Sequence, residues 1–468
     1  MVKQNVVERM RQLQLTLLLI VVILLLFGGC GDAGAQEGRI ALKAAVWQGR
    51  DNGDFLRQIE AFNENNSEYY VEIVEYEYPE SQGDLYERLT KDILAGKGPD
   101  IINLGSGDNP MALAAGKLTE DLFPLMEADE EFIREDYYEN ILEAFSLGDS
   151  LYTLPVSFSV YTFAGEEERL GAYLTCEQGE NGNYHTWTVD QLLQCCNALG
   201  VDGKEIYLFS GMEPKLGTFG HICYASLDNY VDWDKNQCHF EEEGFVGLLN
   251  FADRFPQEFA WREDYSFRGF FREGKILLYS AHISNIWEMV VAEELFPGGK
   301  IVFPGYPVAD GQQKRGGAVA RPWGDFLCIS AASSHKEGAW EFLKSFLTPE
   351  YQSQVMGIPL LREASEERIR SALIPEYETV DGEQVLKVQY EQAIVEEESI
   401  RLTAVSEAQA QAFRELIESV HRCQEMDQTL YDIVLEEADI FFSGDRTAEE
   451  TASIIQDRAK VYMGEKIR

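Results

Sequence analysis

Along residues 39–109 the spacing of apolar residues switches repeatedly between two periods. Ile40 to Trp47 is an apolar run of strand length, and after the polar turn Gln48 to Asn52 the residues Phe55, Leu56, Ile59 and Phe62 share one helical face. Tyr69, Val71 and Ile73 then alternate with Tyr70, Glu72 and Val74, which predicts a strand, and Leu85, Leu89 and Ile93 restore helical spacing. Gly98-Pro99 stops that helix. Ile101 to Leu104 predicts a third strand ending in Gly105-Ser106-Gly107-Asp108, a loop whose glycines allow backbone to approach a ligand closely. Such alternation predicts an α/β fold with parallel strands joined by right-handed crossovers. In open α/β sheets ligands sit beyond the carboxyl ends of the strands. Two such ends are Trp47-Gln48-Gly49-Arg50 and the loop at 105–108.

Farther along, Met111 to Leu125 predicts an apolar helix and a short turn, and Ile276 to Tyr279 and Phe326 to Ser330 predict strands. Val405 to Ile440 is helical in period, with Phe413, Leu416, Ile417 and Val420 on one stripe. Pro304-Gly305-Tyr306-Pro307 interrupts the pattern.

The chain has 468 residues, 45% of them hydrophobic, enough for two cored domains. Lys3, Arg9 and Arg11 precede an unbroken apolar run from Leu17 to Phe27, the length of a signal-peptide core and short for a membrane span. Gly28-Gly29-Cys30 closes the run and resembles the bacterial lipobox, with Phe27 departing from the aliphatic residue usual there. The resemblance implies a signal peptide over 1–29, lipidation of Cys30 and a flexible tether over 30–38, holding the protein on the outer face of the cytoplasmic membrane. An uncleaved signal anchor is the alternative.

The formal charge is −42 and deepens to −44 once residues 1–29 are removed, which argues against nucleic acid as a partner. Eight cysteines leave seven besides Cys30, without a Cys-x-x-Cys pair, and only six histidines accompany them. Buried thiols are expected, with neither a metal site nor a cofactor. Catalytic signatures are missing too. Leu104-Gly105-Ser106-Gly107-Asp108 lacks the first glycine of a nucleophile elbow, and neither a phosphate-binding P-loop nor a His-Glu-x-x-His helix occurs. With 81 carboxylates, the presence of acids does not single out a hydrolase. A non-enzymatic binder is expected.

Several segments carry a family resemblance. Gly116-Lys117-Leu118, Asp121-Leu122 and Pro124-Leu125 are followed by Leu151-Tyr152-Thr153-Leu154-Pro155-Val156. Then come Thr186-Trp187-Thr188-Val189-Asp190-Gln191-Leu192-Leu193, Phe271-Arg272-Glu273-Gly274-Lys275-Ile276-Leu277-Leu278, Ala339-Trp340-Glu341-Phe342-Leu343 and Gly357-Ile358-Pro359-Leu360-Leu361-Arg362. In this order they resemble the extracellular solute-binding proteins of ABC transporters, the saccharide-binding type. Ala164-Gly165 stand where that family often has Tyr-Asn. The resemblance implies a two-lobed periplasmic-binding-protein-like fold of type II, each lobe a mainly parallel sheet flanked by helices, with a ligand cleft between the lobes. One lobe would comprise residues 39–155 and 303–348, the other 156–302 and 349–468. It further implies a monomer that delivers its solute to ABC permease subunits powered by a separate ATPase. Alternatives are a non-sugar solute such as a polyamine, or a lipid-anchored surface hydrolase or adhesin.

A sugar site needs hydrogen-bonding side chains beside aromatic platforms. Candidate ligand-binding residues therefore lie near strand ends: Trp47, Gln48, Arg50 and Asp51; Ser106 and Asp108; and Ser157 and Phe158, which also read as an ordinary hinge. For Trp47, stacking on a pyranose competes with core burial. His282 and Ser284, in the loop expected after the strand ending at Tyr279, are implied by the resemblance. For His282 a backbone hydrogen bond is the alternative, and Trp287 is expected to pack inside the next helix. Trp323 and Asp325 lie on a turn expected before the strand that starts at Phe326, and Trp323 with Trp47 is the expected pair of platforms.

Overall fold

The computed structural model describes residues 38–48, 52–77, 82–105, 113, 117–179, 182–232, 235–258, 264–298, 300–311, 316–394, 399–424 and 427–466. The expected signal peptide, Cys30, Arg50, Asp51, Ser106 and Asp108 lie outside these residues, as does most of the apolar segment from Met111 to Gly116. Among the described residues no helix is long and apolar enough to cross a membrane.

The described chain forms two compact units, one ending at Glu77 and the other comprising all that follows. The first is the expected strand-helix-strand. β1 (Ile40–Gln48) and β2 (Tyr69–Glu77) pair in parallel from Ile40 opposite Tyr69 to Gln48 opposite Glu77, joined by α1 (Gly53–Asn65). Of the predicted stripe Phe55, Leu56, Ile59 and Phe62, all but the half-buried Leu56 form the buried face of α1. Asn63 ties helix to strand, its side chain donating to the Val71 carbonyl at 2.9 Å and accepting from the Val71 amide at 2.7 Å.

The second unit opens with α2 (Gln82–Leu94) and β3 (Ile101–Gly105), followed by the long strand β4 (Leu154–Glu166). Next come α3 (Val189–Ala198), α4 (Lys215–Ser226), α5 (Glu243–Ala252), β5 (Tyr279–Ile283), α6 (Ile286–Leu295), β6 (Ile301–Val302) and β7 (Val319–Ile329). α7 (Lys336–Lys344), β8 (Ile358–Pro359), α8 (Arg362–Leu373), α9 (Glu407–Glu418), α10 (Gln428–Phe442) and α11 (Ala448–Lys466) follow, with shorter helices and hairpins between the elements named. β7 pairs antiparallel with β3 on one edge and with β4 on the other, and β4 pairs antiparallel with β5, β6 and β8. The parallel sense predicted by crossover helices therefore describes β1 and β2. Beyond β3 the chain returns along the sheet, and a returning strand pairs antiparallel.

α3, α4, α5, α10 and α11 bury one aromatic-rich core with Phe163, Leu277 and Leu278, centred on Phe219, Phe240, Phe245 and Phe442. Thr188 is the cap of α3. Its hydroxyl accepts from the Gln191 amide at 3.2 Å while the Gln191 side chain accepts from the Thr188 amide at 2.8 Å. Cys195, Cys196, Cys223, Cys238, Cys328 and Cys423 are buried thiols and Cys176 is an exposed one. Burial pushes the Cys195 thiol up to about 11.

The interruption at 304–307 is a place where two backbone segments run side by side. Gly305, at φ +74°, runs so close to Gly317 that a Cβ would sit 1.7 Å from the Gly317 carbonyl oxygen. The single helical period expected over 405–440 is two helices. Phe413, Leu416, Ile417 and Val420 are buried as predicted, but the chain between α9 and α10 becomes extended. The Ala320 amide donates to the Arg422 carbonyl at 3.0 Å and the Gln424 amide to the Ala320 carbonyl at 2.8 Å. The open edge of β7 offers those bonds, and periodicity along one segment does not register a partner far away in sequence.

Candidate functional site

β4 lies between β5 and β7, and side chains alternate between the two faces of a sheet. Tyr161 stands opposite His282 of β5 and Val319 of β7, Ser159 opposite Arg321, and Ser157 opposite Trp323. One face therefore presents Ser157, Ser159, Tyr161, Arg321, Trp323, Ser280 and His282.

The rings on this face touch. His282 stacks on Tyr161 at 4.4 Å between centroids and lies 4.9 Å from Trp323, while the Arg321 guanidinium sits 5.1 Å from the Tyr161 centroid. Arg321 Nη1 donates to the Tyr224 hydroxyl at 2.9 Å, drawing α4 to the sheet. Trp323, His282, Tyr161 and Arg321 are half-buried. Among the described residues, Ser159 Oγ and His282 Nε2 on this face are buried without a hydrogen-bond partner. Such groups cost free energy until a partner reaches them.

Protonation follows from burial. Desolvation lowers the pKa of His282, Arg321 lowers it further, and Glu288 opposes them; the ring is thus a neutral imidazole with one donor and one acceptor nitrogen. Burial likewise raises the phenols of Tyr161 and Tyr306, keeping both as hydroxyl donors. The face combines flat apolar rings with neutral hydrogen-bonding groups and one cation.

Trp323 owes its position to a bulge. The β4–β7 register shifts between Trp323 and Phe326, and Gly324 takes φ +79° there. Gly357 backs the ring closely: a Cβ on it would lie 2.8 Å from the Trp323 Cβ and 2.7 Å from the Phe158 carbonyl oxygen. The turn expected before Phe326 is therefore a bulge within a strand that begins at Val319. Similarly, Ser280, His282 and Ile283 belong to β5 and not to a loop after Tyr279, because β4 supplies the pairing edge.

The other sequence-derived candidates have partners of their own. Trp47 is 2% exposed, its ring 5.3 Å from Tyr76, and Gln48 donates to Glu75 at 2.8 Å on the surface. Ser157 donates to the Trp323 carbonyl at 2.6 Å, and Phe158 is fully buried with its ring 5.9 Å from Tyr138. Asp325 accepts from Asn103 at 2.6 Å and from the Tyr351 hydroxyl at 3.2 Å, linking β3 to β7. The Ser284 amide and hydroxyl donate to Glu288 at 2.6 and 2.9 Å.

Trp287 departs from expectation. Its ring is parallel to Tyr390 at 6.1 Å and lines a pocket of about 470 Å³ between α6 and α8. In a ten-residue helix start, the second residue can point toward neighbours outside the core as readily as into it. The sequence reading missed Tyr161, Arg321 and Tyr224. Alternation within Ser157-Phe158-Ser159-Val160-Tyr161 carried the signal for Tyr161, whereas Arg321 and Tyr224 meet only through tertiary packing.

A profile of the bacterial extracellular solute-binding protein family matches residues 57–366. No curated protein sequence matches the chain. Among solved structures, the sugar-binding protein MalE from Xanthomonas citri is 15% identical, with 91% of this chain and 98% of that one covered and a TM-score of 0.53. A periplasmic oligogalacturonide-binding protein from Yersinia enterocolitica is 16% identical, with 92% and 100% covered and a TM-score of 0.54. A structure described as a de novo designed cysteine esterase gives 16% identity, 92% and 100% coverage and a TM-score of 0.56. At these identities the structural likeness carries the fold, that of the two-lobed periplasmic binding proteins. With that fold, and with a family profile that spans well over half its length, the chain belongs to the bacterial extracellular solute-binding proteins.

Proposed function

We propose that the protein captures a mono- or oligosaccharide by lobe closure and delivers it to an ABC permease energised by a separate ATPase. The observation that carries the reading is the sheet face of β4, β5 and β7. There Tyr161, His282 and Trp323 stand together beside the unpartnered Ser159 Oγ and His282 Nε2. Sugar C–H faces stack on such rings, and sugar hydroxyls both donate and accept, so they suit a neutral imidazole and a serine hydroxyl. The sugar-binding neighbours support the same class. Capture by lobe closure requires the ligand to bind the closed arrangement more tightly than the open one.

The lobes of this reading are residues 39–155 with 303–348 and residues 156–302 with 349–468. A core that unites Phe163 to Phe255 with Leu430 to Met463 supports the second of them. The protein acts as a monomer tethered through lipidated Cys30 on the outer face of the membrane, a reading supported by Gly28-Gly29-Cys30 after the apolar leader. Metabolic labelling with a palmitate analogue checks the anchor, since Cys30→Ser should abolish it.

The function itself is tested by thermal shift of the detergent-solubilised full chain against saccharides, polyamines and amino acids. Ligand at about 100 times its dissociation constant adds about 2.7 kcal/mol, a rise of several degrees. A selective shift with an unaltered saccharide is expected. A shift with polyamines alone, or turnover of an oligosaccharide, would replace the reading.

A further inference from the structure

Arg321 is the cation of the candidate site, and its surroundings differ from those of neighbouring charges. Arg422, on the extended segment beside β7, is paired with Asp228. Of the nearby carboxylates, Asp325 is engaged by Asn103 and Tyr351, and Glu288 accepts both the amide and the hydroxyl of Ser284. Arg321 donates to a phenol and lies beside a second phenol ring; among the described residues it makes no ion pair. This occurs in a chain with 81 acidic and 39 basic residues, where carboxylates are abundant.

A half-buried guanidinium bonded only to neutral groups has surrendered part of its hydration without compensation by an opposite charge. Directly across the β4–β7 ladder stands Ser159, fully buried, with Oγ unpartnered among the described residues. His282, on the other side of Tyr161, is held neutral by burial and keeps Nε2 unpartnered. One cation beside neutral donors matches a singly charged planar anion better than a phosphate dianion. Guanidinium and carboxylate are also complementary in shape. The aromatic rings alongside demand a ligand with a C–H face.

We infer that the site on β4, β5 and β7 selects acidic saccharides, with a uronate carboxylate seated on Arg321 and the sugar ring against Trp323. The inference rests on the saccharide reading above and narrows it. Phenols that now hold Arg321 become its orienting partners, fixing the guanidinium before ligand arrives.

The test is isothermal titration of the detergent-solubilised full chain with galacturonate and glucuronate oligomers, the matched neutral oligomers and the corresponding sugar phosphates. A charge-assisted contact of this kind should make the uronate bind roughly 10- to 100-fold more tightly than its neutral counterpart. Arg321→Met should erase that preference, lowering uronate affinity by a larger factor than neutral-sugar affinity. Arg321→Lys, which keeps the charge and protects the test against a folding defect, should retain part of it. Equal or tighter binding of the neutral sugar overturns the acid preference and leaves the saccharide reading standing. Tighter binding of the sugar phosphate overturns the carboxylate assignment. Failure of every sugar, charged and neutral, overturns both readings together.

Discussion

Gly305→Ala should be among the most damaging single-methyl additions in the second unit. Two separable costs arise. At φ +74° an L-residue with a side chain pays about 1–2 kcal/mol for the left-handed conformation. The added Cβ would also stand 1.7 Å from the Gly317 carbonyl oxygen, so the two backbones must part. Moving Gly305 weakens two buried bonds, Trp187 Nε1 to the Gly305 carbonyl at 3.1 Å and the Gly305 amide to Thr162 Oγ1 at 3.0 Å. A buried group left unsatisfied costs about 1–3 kcal/mol. With both bonds lost the sum is about 3–8 kcal/mol, or a fall in Tm of roughly 4–10 °C for a cooperative unit of about 390 residues. Gly444→Ala is the control, because Gly444 has φ +90° and no atom lies within 4 Å of the place its Cβ would take, so it bears the conformational cost alone. Urea denaturation and calorimetry of both variants compare the two. Equal losses would refute the close-approach argument, leaving only backbone conformation to explain either effect.

Trp323→Ala should weaken saccharide binding by about tenfold or more, the worth of a lost stacking platform, with little change in Tm; titration calorimetry reads the affinity. Gly357→Ala should do part of the same at a distance, since its methyl would press on the Trp323 side chain and the Phe158 carbonyl; we expect a stability loss of about 1–3 kcal/mol together with reduced affinity. Burial holds the imidazoles of His282 and His421 below their usual 6.5, so below that pH the unfolded chain binds their protons more readily than the folded one. Stability should therefore fall as pH drops from about 6.5 toward the folded-state values. A variant carrying His282→Asn and His421→Asn should show a shallower slope of stability against pH, by up to about one proton per histidine. Glu437, buried between Arg446 and Arg458, joins α10 to α11; burial opposes its charge but bonds from Arg458 and Arg446 outweigh that and hold its carboxyl below the usual range. Glu437→Gln should cost about 1–3 kcal/mol at neutral pH, and the deficit should shrink in acid as the wild-type carboxylate protonates, which denaturation at several pH values measures.

Local elements were legible where one face of a segment decides its fate. Phe55, Ile59 and Phe62 were readable as one face, because that outcome depends on residues a turn apart. His282 and Trp323 were legible as candidates, yet their settings were not. The sequence placed one in a loop and the other on a turn, whereas β4 recruits both into neighbouring strands and brings their rings to 4.9 Å. Nothing near residue 321 in the sequence pointed to residues 161 and 224, so the cation and its phenols went unseen.

Order and spacing of apolar residues, the ordered motifs and the large negative charge were properties of the sequence alone. Periodicity determined the α/β class, since it acts through short-range geometry, while the ordered motifs from Gly116 to Arg362 carried the family resemblance. The tertiary structure alone decided that strands beyond β3 pair antiparallel, that Val420 to Gln424 leaves the helix to meet β7, and that Arg321 faces Tyr161 and Tyr224. Those outcomes depend on which sheet edges and buried groups remain unsatisfied after distant segments pack, a quantity set by the whole molecule and carried by no local window of sequence.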